Sequence, residues 1–194
     1  MGHSRKDKAE SHDRIVRIAA ARFRESGVDG IGVADLMEEA GLTHGGFYRH
    51  FASRDELVAE AIERALVDGG KGAVDAVTRS TLGKKELFAA LVDWYLSTAH
   101  RDNLATSCAV ASLARDVARS NDRARSAYTR QVAIYLDLFT QLIPGDGVAS
   151  SRAKAIAAWS TLVGAVSMAR ATNDEALSRE ILSSAASEVK ISAA

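Results

Sequence analysis

A single proline, Pro144, stands in a chain of 194 residues, so almost every position is free to be helical. Apolar residues recur at three- and four-residue spacing from one end to the other, the signature of helices that each bury one face. No segment alternates with the period of two that a half-buried strand requires. The chain is therefore expected to be all-α. The stripe Ile15, Ile18, Ala19 and Phe23, with Arg14, Arg17 and Arg24 off it, predicts a first helix over 11–25. Ser26-Gly27 and Asp29-Gly30 end it.

A short helix over 33–40 follows, presenting Val33, Leu36, Met37 and Ala40, with Gly41 at the position after its cap that favours a left-handed backbone. Thr43 is the expected N-cap of a second short helix over 44–51. Ser53-Arg54-Asp55-Glu56 reads as a capping box ahead of Leu57, Val58, Ala61, Ile62, Ala65 and Leu66. That fourth helix is expected to stop near Gly69-Gly70-Lys71-Gly72, the most glycine-dense point of the chain, where a boundary divides domains 1–70 and 71–194. Five further helices are expected over 84–100, 104–119, 122–143, 151–171 and 174–189, with Pro144-Gly145 ending the third and a weaker helix over 72–80.

Composition removes several classes of function. Hydrophobic residues make up 47% and charged residues 26%, values of a globular chain rather than a disordered one. One cysteine, Cys108, excludes an internal disulfide and any multi-cysteine metal site. The histidines lack the spacing of a zinc protease, Gly69-Gly70-Lys71-Gly72 lacks that of a phosphate loop, and no Gly-x-Ser-x-Gly elbow is present. No catalytic residue, metal or cofactor is expected. Residues 1–14 are polar, without the apolar core of a secretion signal. The uncharged stretch 155–169 would extend only about 23 Å as a helix, short of a bilayer's roughly 30 Å. A cytoplasmic protein without a membrane partner is expected.

Two short helices joined by Gly41-Leu42-Thr43 have the spacing of a helix-turn-helix, or of an ordinary corner between helices. Leu36, Ala40, Leu42, Phe47 and Phe51 suffice for its small core. The free face carries Tyr48, Arg49, His50 and Arg54, donors suited to phosphate oxygens, with the Thr43 hydroxyl beside the exposed N–H groups of a helix start. Gly45 and Gly46 each cost about 1 kcal/mol relative to alanine in a helix. They either let the helix approach DNA closely or merely fray its first turn.

The segment Gly41-Leu42-Thr43-His44-Gly45-Gly46-Phe47-Tyr48-Arg49-His50-Phe51-Ala52-Ser53-Arg54-Asp55-Glu56-Leu57 resembles the TetR family of bacterial transcriptional regulators, and the resemblance extends over about residues 15–66. It implies an N-terminal three-helix DNA-binding domain and a C-terminal helical domain that binds a small molecule and dimerises. Carried onto this chain, it makes Tyr48 and His50 phosphate contacts, Thr43 both cap and phosphate contact, and His44, Gly45 and Arg49 neighbours of base edges or the groove wall. Arg54 stands where the family usually has lysine, which keeps the charge but changes the geometry. Gly32 stands where many members have Ser or Thr, removing a side-chain cap and a phosphate contact. With Gly45 and Gly46 in the recognition helix, few side chains remain for base readout.

The expected function is a ligand-responsive regulator, a repressor released from a double-stranded DNA operator. The alternative is a helical small-molecule binder or enzyme with a vestigial helix-turn-helix. Zero net charge first argues against DNA, but the charge is segmented: residues 1–24 carry 7 basic and 3 acidic groups, 25–41 five acidic and none basic, 42–54 two basic and none acidic, and 55–66 one basic and four acidic. The positive segments are the arm with helix one and the recognition helix. A homodimer is the expected assembly, through Ile156, Trp159, Val163 and Val166 of one helix and Leu177, Ile181, Leu182, Ala185 and Val189 of the last, unless both simply pack on their own core. A partly apolar effector is expected among Phe88, Leu91, Trp94, Tyr95, Cys108, Tyr128, Tyr135 and Trp159, residues that serve equally as plain core. Cys108 is read as an inert buried thiol or a sensor.

Overall fold

The computed structural model describes residues 5–144 and 147–193; Gly145 and the first four residues of the basic arm lie outside the described residues. Among these residues the regular elements are all helical: α1 (Arg5–Ser26), α2 (Val33–Glu39), α3 (Arg54–Arg79), α4 (Lys84–Tyr95), α5 (Thr98–Asp102), α6 (Ala109–Ala118), α7 (Asp122–Leu142), α8 (Val148–Ala171) and α9 (Glu175–Ser192), with short 3-10 turns at Val28–Gly30, His44–Arg49 and Leu104–Thr106. α1 packs on α3, α3 on α7, α7 on α8 and α8 on α9. One apolar core runs through all of them, from Ile15 to Ala193.

Local chemistry explains the ends. α1 starts before its apolar stripe, because Asp7 complements the helix dipole in the first turn and Lys6 pairs with Glu10 at 3.8 Å. α2 closes as a Schellman motif: Gly41 adopts φ +69°, its N–H reaches Glu38 O at 2.8 Å, and Leu42 N–H reaches Met37 O at 2.8 Å. At α3 the Ser53 hydroxyl accepts the Glu56 N–H at 3.2 Å, while the Glu56 carboxylate reaches the Ala52 N–H, one residue before the position a capping box would use.

Four expectations are corrected. α3 does not stop at the glycine cluster but continues through it to Arg79, absorbing the separate weaker helix. The glycines there are packing residues: a Cβ on Gly70 would lie 2.6 Å from Gln131 Nε2 and 2.9 Å from the Tyr135 hydroxyl, and one on Gly69 would lie 3.1 Å from Ser107 O. The expected helix over 84–100 breaks at Leu96, where the Ser97 hydroxyl donates to Trp94 O and accepts the His100 N–H, ending α4 and starting α5. The helix over 104–119 is split the same way at Ser107, whose hydroxyl returns to Leu104 O. The helix over 44–51 is a 3-10 helix, with Gly46 N–H bonded to Thr43 O and His50 N–H to Phe47 O, both at 2.9 Å. Two consecutive glycines remove the incentive for an α-helical turn.

The α8 stripe also divides. Trp159 and Val166 are buried with Leu162, whereas Ile156 and Met168 are exposed and Val163 is half-buried. No charged residue lies between Lys154 and Arg170. α9 is held to the bundle by buried polar contacts: Arg101 donates to the Ser178 hydroxyl at 2.8 Å, and that hydroxyl donates to Ala169 O at 2.7 Å. Among the described residues no helix is long and apolar enough to cross a membrane.

Candidate nucleic-acid interface and buried aromatic cluster

The unit formed by α2 and the His44–Arg49 turn is held from below. Phe47 is buried and stacks on Phe51 at 5.4 Å, Phe51 stacks on His12 of α1 at 4.5 Å, and His12 bonds Glu60 of α3 at 2.7 Å. With Phe47 inward, its neighbours are driven outward. Tyr48 is 76% exposed and rests edge-on against Phe47 at 5.3 Å; Thr43, His44, Gly45 and Arg49 share the exposed side. Arg49 forms no hydrogen bond or ion pair among the described residues, so its charge is free to meet another molecule.

The remaining candidates are placed differently. Thr43 occupies the cap position of the turn, but its side chain makes no capping bond. Gly46 faces inward, where a Cβ would touch Met37 Cε at 3.6 Å, whereas Gly45 opens to solvent with nothing within 4 Å. Only Gly45 thus offers backbone for close approach. His50 is half-buried; burial, then the nearby His12, Lys8, Arg49 and Arg14, hold its imidazole below the usual value, so it is neutral at pH 7. Its Nδ1 is buried without a partner. Gly32 caps α2 without a side chain, and Asp35 compensates by accepting the Gly32 N–H at 3.3 Å.

In the C-terminal half, the structure gathers part of the expected ligand set. Trp159 lies 4.5 Å from Tyr135, 5.3 Å from Tyr95 and 5.3 Å from Phe139, which in turn meets Phe88 at 5.5 Å. The Cys108 thiol sits beside the Tyr95 and Tyr135 hydroxyls. Burial pushes both tyrosines well up and His100 down, since low dielectric disfavours either sign of charge. His100 donates from Nδ1 to Tyr95 O at 2.7 Å and accepts the Cys108 N–H on Nε2 at 3.3 Å, which fixes its neutral tautomer. Leu91 is buried. Trp94 is not part of this cluster: it is 50% exposed and lies on the outer side of His100. Tyr128 is held apart by its bond to Val110 O at 3.1 Å.

Residues 15–61 match the bacterial regulatory proteins of the tetR family. The match covers the helix-turn-helix segment, about a quarter of the chain. An HTH-type transcriptional regulator of Staphylococcus aureus strain USA300 is 39% identical over 62 residues, 32% of this chain and 34% of the relative, so the match spans about a third of that protein's length. The fold of a TetR transcriptional regulator from Chloroflexus aurantiacus superposes with a TM-score of 0.79 at 22% identity, covering 96% of this chain and 95% of that one. E. coli NemR in its reduced form gives 0.78 at 17% identity over 94% and 96%.

Within this fold, Arg54 has a role its sequence position did not reveal. It donates to Val28 O at 2.8 Å and pairs with Asp29 at 3.3 Å, and is therefore turned onto the loop between α1 and α2. The N–H of the same Val28 is taken by Asp116 of α6 at 3.1 Å. A polar cleft of about 440 Å³ surrounds these contacts, bounded also by Arg115 and Arg119. Asp116 links the helix-turn-helix to the bundle. No local motif marks it, because its partner is a backbone N–H 88 residues away.

Proposed function

We propose that this chain is a homodimeric, DNA-binding transcriptional regulator that represses from a double-stranded operator and releases it when a small molecule enters the C-terminal bundle. The observation that carries the reading is the exposed face of the His44–Arg49 turn. Tyr48 and Arg49 point outward from a buried Phe47, and Gly45 leaves bare backbone beside them. In this reading Tyr48, Thr43 and His50 contact phosphate, while His44, Gly45 and Arg49 meet the groove. Arg54 joins them only by leaving Val28 and Asp29. Gly46 acts as a packing residue, and Gly32 brings the backbone start of α2 to the duplex without adding a contact of its own.

The uncharged outer side of α8, with Ile156, Val163, Gly164 and Met168, supports pairing with the same face of a second copy as a four-helix interface. Two recognition turns then span successive major grooves about 34–36 Å apart. α3 is the mechanical link, because one helix carries Arg54 at the DNA end and Gly70 against Gln131 and Tyr135 at the bundle end. An effector weakens DNA binding by its preference for the α3 position that misaligns the turns. The seat of such a regulator is the cytoplasm, and catalysis has no part in this reading. A gel shift on the duplex upstream of the protein's own coding region tests it: a retarded complex that weakens steeply with added salt is expected, and no retardation at low salt contradicts it.

A further inference from the structure

The aromatic cluster contains two buried hydrogen-bond donors with no oxygen or nitrogen acceptor at hydrogen-bond distance, the weakly accepting Cys108 thiol being the polar neighbour of one of them. Tyr95 is 5% exposed and Trp159 is 6% exposed, and both the Tyr95 hydroxyl and the Trp159 indole N–H are without a partner. An unpaired buried donor is destabilising by about 1–3 kcal/mol, so such groups call for an explanation. The two rings lie 5.3 Å apart, and the Cys108 thiol lies beside the Tyr95 hydroxyl. His100, the other polar group here, already has both ring nitrogens engaged, and Arg170 at the rim donates to Arg101 O, Ser112 Oγ and His100 O. The cluster therefore has donors to offer and no free base or carboxylate.

We propose that Tyr95 and Trp159 are the polar contacts of the effector site and that its ligand is a compact, uncharged, partly aromatic molecule carrying a hydrogen-bond acceptor such as a carbonyl oxygen. This rests on the ligand-responsive reading above and names the chemistry of that site. In this proposal the ring faces of Tyr95, Tyr135 and Trp159 supply the apolar walls, and the Tyr95 hydroxyl and the Trp159 indole N–H supply the donors for the ligand's acceptor. A charged ligand is disfavoured, since burial here shifts tyrosine upward and both His100 and Arg170 downward, opposing either sign. The site also reaches α3. Tyr135 and Gln131 fill the place that a Gly70 Cβ would take, so a ligand that displaces Tyr135 acts on the helix that begins at Arg54.

Calorimetric titration of the full chain with acetophenone, with cumene (of similar size but without the carbonyl) and with benzoate tests the proposal. Acetophenone is expected to bind about tenfold more tightly than either. In a Trp94→Phe background, where Trp159 is the sole tryptophan, it is also expected to change the fluorescence. Tyr95→Phe and Trp159→Phe are expected to erase the preference for acetophenone over cumene while cumene still binds. The proposal is overturned if the wild type shows no such preference, if none of the three probes binds up to its solubility limit, or if both variants keep the preference. These titrations contain no DNA, so a failed gel shift would sink the regulatory reading without altering them.

Discussion

Gly70→Ala and Gly72→Ala place the same methyl group on the same helix, two residues apart, yet the structure assigns them opposite outcomes. A Cβ on Gly72 would meet nothing within 4 Å, so alanine gains only the helix-propensity difference, about 1 kcal/mol. At Gly70 that gain is opposed by a Cβ 2.6 Å from Gln131 Nε2 and 2.9 Å from the hydroxyl of buried Tyr135. Overpacking of this kind is destabilising by about 1–3 kcal/mol, which leaves Gly70→Ala between neutral and about 2 kcal/mol less stable. For a chain of this size each kcal/mol moves Tm by about 2–4 °C. Thermal and urea unfolding of the three proteins at one protein concentration should therefore show Gly72→Ala raised by a few degrees and Gly70→Ala unchanged or lowered. Equal stabilisation by the two would refute the placement of α3 against α7, and with it the route from bundle to Arg54.

Other outcomes follow from single contacts. Tyr48→Phe keeps the edge-on packing against Phe47 and removes only the hydroxyl, so DNA affinity should fall about tenfold or more at constant Tm, read by fluorescence anisotropy. Asp116→Ala leaves the half-buried Val28 N–H unpaired and should lower urea stability by about 1–2 kcal/mol; no loss would show that this inter-element link is idle. Burial holds His100 below its unfolded value, so its contribution is complete above about pH 6.5 and is lost as pH falls through the lowered folded value. His50 acts with the same sign, and urea unfolding from pH 7 to 5 should show a shallower decline in His100→Gln than in the wild type.

The parts of this molecule legible in its sequence are those whose causes are local. Gly41 after α2, Ser53 ahead of α3 and Asp174 ahead of α9 each act on N–H or C=O groups within four residues, and each stands where its residue type implies. The exposed face of Tyr48 and Arg49 was readable for the same reason, since Phe47 and Phe51 flank it at helical spacing. What was hidden depends on distant partners. The glycines of α3 look like a breaker until Tyr135 and Gln131 are seen filling their missing side chains. Arg54 reads as a free cation until Val28 O is found beside it. α8 is apolar on nearly every side, so periodicity could not separate the Trp159 and Val166 face from the Ile156 and Met168 face. Trp94 and Trp159 are alike in sequence, yet one is at the surface and the other in the core.

The central claim, that the outer face of the His44–Arg49 turn reads duplex DNA as a pair, is tested most directly by selection from a random duplex library with the purified full chain. Enrichment of an inverted repeat whose half-sites are centred one helical turn or a multiple of it apart is expected. Arg49→Ala is expected to relax the preference at the positions Arg49 meets, while the variant remains folded and dimeric. Recovery of no common sequence, or of the same sequence with the same affinity by Arg49→Ala and Tyr48→Phe, would contradict it.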